Sequence, residues 1–138
     1  MMTDIRKGDY RPTQREPYMN ARQLAYFRTK LLAWRESLLL ASHQTLTKMT
    51  LGSTAHPDPT DRAAEESDAF LELRTRDRYR KLIAKIDNAL KRIEHGTYGY
   101  CKDTGEPIGI RRLEARPVAE FCLEAQAQHE KEESLRRK

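Results

Sequence analysis

The chain has 138 residues, of which 34% are charged and 38% hydrophobic, and its mean hydropathy is -0.87. That leaves too little apolar material for a thick globular core, and no apolar run reaches the roughly 18 residues that a membrane helix needs. The net charge of +5 comes from 26 basic and 21 acidic residues, a mixed surface that is weak evidence for a nucleic-acid partner.

The glycines and prolines fall in three clusters, at residues 8 to 17, 52 to 59 and 96 to 117, which separates an elongated helical body from a small module. The first twenty residues, MMTDIRKGDYRPTQREPYMN, lack the apolar stretch of a secretory signal, which points to a cytoplasmic protein. Residues 1 to 18 read as an N-terminal tail. Residues 19 to 49 contain no Gly or Pro and place Leu24, Phe27, Leu31, Trp34, Leu38 and Ala41 at spacings of three and four, with Leu46 and Met49 less regular. This predicts an amphipathic helix with a coiled-coil-like seam. Residues 59 to 95 repeat the pattern at Phe70, Leu73, Tyr79, Leu82, Ile86, Leu90 and Ile93, broken by Asp77. Two such helices joined by a short break should fold back as an antiparallel hairpin, residues 19 to 96, with its tip near 52 to 62. A helix of this length extends about 45 Å.

At the tip, HPDPTDRAAEE, Asp58 stands where an N-cap belongs, Pro59 takes the first helical position and Asp61 follows three residues after the cap. Helix initiation accounts for these residues. Their carboxylates also put negative charge at the far end of the hairpin, where it could approach Mg2+ or basic groups of a partner.

Residues 97 to 125 outline a zinc-knuckle module, and residues 126 to 138 read as a charged C-terminal helix. A structural zinc site needs four ligands, usually from two C-x2-C pairs. Here the pairs are Cys101 with Thr104 and Cys122 with Ala125, so each half lacks one thiolate. The readings left open are a substitute site using Asp103, Glu124, His95 or His129, a Cys101–Cys122 disulfide, or two neighbouring thiols. His129 stands two helical turns beyond Cys122, too far along the axis to share one ion easily. A bound structural zinc is worth about 10 to 16 kcal/mol. Each apolar side chain buried in its place contributes about 1.5 to 3 kcal/mol. Tyr98, Tyr100, Pro107, Ile108, Ile110, Leu113, Val118, Phe121 and Leu123 are available, so the expectation is a retained knuckle shape held by packing, with no metal.

DPTDRAAEE at the tip, LELRTRDRYRKLIAKIDNALKRIE on the return helix and YGYC followed by GEPIGIRRLEARP in the knuckle together resemble the DksA family over about residues 19 to 125. Cys-x2-Thr and Cys-x2-Ala in the knuckle resemble the zinc-independent DksA paralogues. The resemblance implies an all-α coiled-coil hairpin with a zinc-finger-like knuckle. It also implies a monomeric transcription regulator that binds bacterial RNA polymerase rather than DNA, enters its secondary channel and acts with ppGpp on rRNA and amino-acid promoters. By matching positions, it places the tip function on Asp58, Asp61 and Ala63, polymerase contact on Arg78, and an alarmone pocket shared with polymerase on Leu82, Lys85 and Arg116. Lys85 and Arg116 supply cations suited to phosphate. A family lysine after the last knuckle position is Gln126 here. The C-terminal helix would contact polymerase through Arg136 and Arg137.

Two other functions fit parts of the sequence. A Gre-like transcript-cleavage factor would use the tip carboxylates with Mg2+, but such factors carry a different C-terminal domain. A direct nucleic-acid binder would set Arg111, Arg112 and Arg116 against phosphates, yet no aromatic ladder accompanies them; salt bridges to acids at the hairpin base account for these arginines. Ser42, His43 and His56 have no triad partners, and no enzyme activity is expected.

Overall fold

The structure is a computed structural model that describes residues 10–51 and 58–137. It contains α1 (Ala21–Leu51), α2 (Pro59–His95), α3 (Ile110–Ala115) and α4 (Leu123–Arg136). Among the described residues the only extended pairing is an isolated antiparallel bridge between Tyr100 and Pro107. Among the described residues no helix is long and apolar enough to cross a membrane. The second helix has the predicted bounds, whereas the last begins at Leu123, three residues before the expected start. Met49 and tip residues 52 to 57, including His56, lie outside the described side chains or residues.

The chain forms two compact units, Leu32–Asp87 and Met1–Leu31 with Asn88–Lys138. This division differs from the one expected, because the base of the hairpin belongs with the knuckle. Within the first unit, α1 and α2 run antiparallel: Arg35, near its start, donates to Asp87, near its end, at 2.7 Å. Leu38 and Ile86 are buried. Leu46, Phe70 and Leu73 are exposed instead of sealing the seam, since a helix pair offers only one narrow stripe for burial. Asp77 does not break α2; it pairs with Arg80 and Lys81 at 3.0 and 3.1 Å, as expected for residues three and four apart.

The second unit is built around Phe27, Leu31, Ala89, Tyr98, Ile108, Ile110, Leu113 and Val118. Of the apolar residues expected to hold the knuckle, Phe121 is half-buried, while Pro107, Tyr100 and Leu123 stay exposed. The described part of the supposed tail is packed structure. Asn20 caps α1, accepting the Gln23 N–H at 2.9 Å. Gln23 is fully buried; its amide oxygen takes the Met19 N–H at 2.8 Å and its Nε2 donates to Thr13 O and Glu16. At the other boundary Gly96, with φ +77, ends α2, and Thr97 N–H closes on Arg92 O at 2.9 Å. That is the left-handed terminator for which glycine carries no Cβ penalty.

Candidate functional site

At the start of α2, one Asp58 carboxylate oxygen accepts the Thr60 N–H at 2.9 Å and the Asp58 carbonyl accepts the Arg62 N–H at 3.0 Å. Asp58 is therefore the N-cap that the sequence predicted, with Pro59 in the first helical position. Asp61 and Ala63 are exposed on the next residues of the same turn and its continuation. The positive end of the helix favours carboxylates in this position, and the cap fixes the orientation of one of them.

Farther along α2, Phe70, Leu71 and Leu73 are 60%, 55% and 50% exposed. They line a shallow groove with Arg74, Arg78 and Lys81. The Arg74 guanidinium lies 5.8 Å from the Phe70 ring and that of Arg78 lies 6.0 Å from Tyr79. Apolar side chains left in water beside cations have the composition of a protein-contact surface. Sequence periodicity assigned Phe70 and Leu73 to the seam; only burial distinguishes the two uses.

Leu82, half-buried, and Lys85, exposed, stand on one face of α2 in the helix-pair unit. Arg116 belongs to the other unit, where it is exposed and caps the C-terminus of α3 with its N–H on Arg112 O at 2.8 Å. The turn before Arg116 is held by residues that sequence reasoning missed. Lys30 donates to Glu114 O at 2.8 Å and to its carboxylate at 3.0 Å, and Tyr26 OH reaches the same carboxylate at 3.1 Å. Gln126 is half-buried, and its amide donates to Glu130 at 3.2 Å. Arg111 is exposed. Arg112 Nε donates to Phe121 O at 2.9 Å, so it ties the knuckle together through a carbonyl rather than the expected acid. Near the end of α4, Arg137 pairs with Glu133 at 3.1 Å, and Arg136 is exposed.

The knuckle shows what stands in the former ligand positions. Cys101 is buried and both cysteines are free thiols. Burial pushes the Cys101 thiol up, but the Thr104 hydroxyl and the backbone N–H groups of Cys122, Thr104 and Asp103 donate to its sulfur. Together they outweigh burial and bring it down to about 6. Thr104 thus donates where a second thiolate would coordinate, and Ala125 is a buried methyl group. His129 pairs with Asp103 at 2.5 Å and its ring lies 4.3 Å from that of Phe121. Among the described residues no cluster of three or more His, Cys, Asp or Glu could hold a metal. The residues present do not fit a four-cysteine zinc set.

Other bonds join the parts of the knuckle. Lys102 N–H donates to Glu120 O at 2.8 Å, and the fully buried Tyr98 donates its hydroxyl to Pro117 O at 2.8 Å. Tyr18 OH donates to Gly99 O at 2.6 Å and accepts the Gly109 N–H at 2.9 Å, bracketing the Tyr100–Pro107 bridge. Gly99 has φ +91, and a Cβ there would stand 2.6 Å from the Met19 sulfur. The Asn-x-x-Gln spacing at 20 to 23 was a legible capping signal; nothing local in the sequence announces the reach of Tyr18.

Comparison with known proteins agrees with this architecture. The family described as DnaK suppressor protein DksA, N-terminal domain, matches residues 23–93. The prokaryotic dksA/traR C4-type zinc finger matches residues 96–131. The RNA polymerase-binding transcription factor DksA of Caulobacter vibrioides is 56% identical over 133 residues, covering 96% of this chain and 94% of its own. The protein of the same name from Escherichia coli K12 is 50% identical over 115 residues, covering 83% and 76%. Among solved structures, transcription factor DksA2 from Pseudomonas aeruginosa superposes with a TM-score of 0.78 at 38% identity, covering 85% of this chain and 90% of the other.

Proposed function

The chain belongs to the DksA family, and from that membership we propose that it binds RNA polymerase and regulates transcription without catalysing a reaction. The finer reading is that α2 carries Asp58, Asp61 and Ala63 into the secondary channel while Arg78 contacts the channel rim. Leu82, Lys85 and Arg116 complete an alarmone pocket with polymerase, so that ppGpp strengthens the effect at rRNA and amino-acid promoters. The observation that carries this reading is the exposed, capped pair of acids at the head of a helix whose flank combines exposed apolar and basic side chains. A carboxylate held at a helix start can act by electrostatics alone on charges near a polymerase active centre.

The knuckle works without zinc in this proposal. The hydrogen bonds to the Cys101 sulfur, the Asp103–His129 pair and the Tyr18 bridge take over the joining of the two knuckle halves. Such a regulator keeps its shape when zinc is scarce and lacks a zinc-thiolate centre for oxidants to attack.

Transcription in vitro from an rRNA promoter tests both parts, using chelator-treated protein and its Asp58→Asn variant with and without ppGpp. The expected result is inhibition that survives chelation, deepens with ppGpp and disappears in the variant. Inhibition indifferent to Asp58 would overturn the tip mechanism, and inhibition restored only by added zinc would overturn the metal-free knuckle.

A further inference from the structure

At the C-terminal end of α2 a cavity of about 650 Å3 opens between the last helical turns and the start of the knuckle. Its lining sets Lys91, Arg92 and Lys102 against Glu120, and Asn88, His95 and Tyr100 add hydrogen-bonding groups. The lining belongs wholly to the knuckle unit, and it includes none of Leu82, Lys85 or Arg116. Lys91 and Arg92 come from the end of α2 and Lys102 from the knuckle loop, so separate segments bring their cations to one space.

Arg92 is only partly satisfied, with its guanidinium 5.8 Å from the Tyr98 ring centroid. Its terminal nitrogens make long bonds, 3.3 Å to Ala119 O and 3.5 Å to Val118 O, and its buried Nε has no partner. Burial lowers the guanidinium below its ordinary range, with the Glu120 charge opposing that effect. A half-buried cation short of partners gains from a nearby anion. Cys101 also lines the cavity, but its side chain is buried and its sulfur is already engaged by Thr104 and by backbone amides. Lys91 and Lys102 are exposed ammonium groups that can turn toward a ligand. The space lies within the range of small-molecule sites, about 300 to 1,000 Å3.

We infer that this cavity binds a small phosphate-bearing anion, held by Lys91 and Lys102 above the Arg92 guanidinium. The ammonium groups grip the phosphate oxygens as point charges, and Tyr100 and Asn88 are placed to contact whatever the phosphate carries. The site is separate from the residues assigned above to the alarmone.

Titration of the full chain with inorganic pyrophosphate tests the inference by calorimetry and backbone amide NMR. The variants are Lys91→Ala/Lys102→Ala and, separately, Lys85→Ala/Arg116→Ala. Saturable binding with amide shifts centred on residues 91 to 102 is expected, weakened at least about tenfold in the first variant and unchanged in the second. Because both lysines are exposed, the first variant should unfold at the same temperature as the parent, which separates lost binding from lost folding. Linear, unsaturated shifts, equal binding in the first variant, or loss only in the second would each overturn the site. A short oligoglutamate peptide that binds more tightly than pyrophosphate would overturn the phosphate assignment in favour of an acidic protein segment.

Discussion

Cys101 is the buried cysteine of the knuckle, and the hydrogen bonds around its sulfur outweigh burial and lower its pKa. The consequence is measurable as a pH dependence. An unfolded thiol keeps its proton up to about 8.5, whereas the folded one releases it near 6. Between those values the unfolded chain binds more protons, so stability rises with pH. The contribution is fully present above the unfolded value and is lost as pH falls through the folded one. Thiolate ultraviolet absorbance should therefore titrate near pH 6, and Cys101→Ala should flatten the rise in urea-unfolding stability across this window. A midpoint above 8 would contradict the donor arrangement (about the ordinary thiol range). Tyr18 gives a second test. Tyr18→Phe keeps the ring and its edge-on contact with Tyr100, 5.6 Å between centroids, but removes the acceptor of the Gly109 N–H. Urea denaturation should show a loss of about 1 to 3 kcal/mol.

The head of α2 separates two uses of one side chain. Asn caps a helix about as well as Asp, while Ala costs about 1 kcal/mol. Asp58→Ala should thus loosen amide-exchange protection in the first turn, and Asp58→Asn should leave it intact. If the carboxylate charge acts on polymerase, both variants lose promoter inhibition, and an Asn variant that retains it assigns Asp58 to capping alone. The bounds of α2 were legible because Asp58, Pro59 and Gly96 are local signals read over a few residues. Periodicity alone could not tell which apolar residues of α2 are buried, since Phe70 and Ile86 fit one repeat and differ only in what lies opposite. The early start of α4 escaped notice for a related reason: Cys122, read as a ligand position, is the helix N-cap. Asp103 and His129 are 26 residues apart, and helix spacing alone puts His129 about two turns beyond Cys122. Their pairing follows from the loop folding back toward α4, which spacing does not encode.

At the scale of the whole molecule, a knuckle with two cysteines in place of four makes chelation a direct test of what holds it together. A four-cysteine knuckle would lose about 10 to 16 kcal/mol on metal removal. This chain should show the same thermal midpoint before and after exhaustive chelation, and a fall of several degrees would mean that metal contributes to its stability. The Tyr18 bridge carries a further consequence, for the order in which the chain folds. Tyr18 and Gly99 are separated by 81 residues, so forming that contact directly from an open chain requires closure of a long loop. The helix pair between them closes a shorter loop, joining Arg35 to Asp87 across 52 residues, and its helices form from local contacts. Once formed, it shortens the effective loop and delivers the N-terminal segment to the knuckle. During synthesis the segment carrying Tyr18 is made before Gly99 and Gly109, so this contact can close only after both helices of the pair have been made.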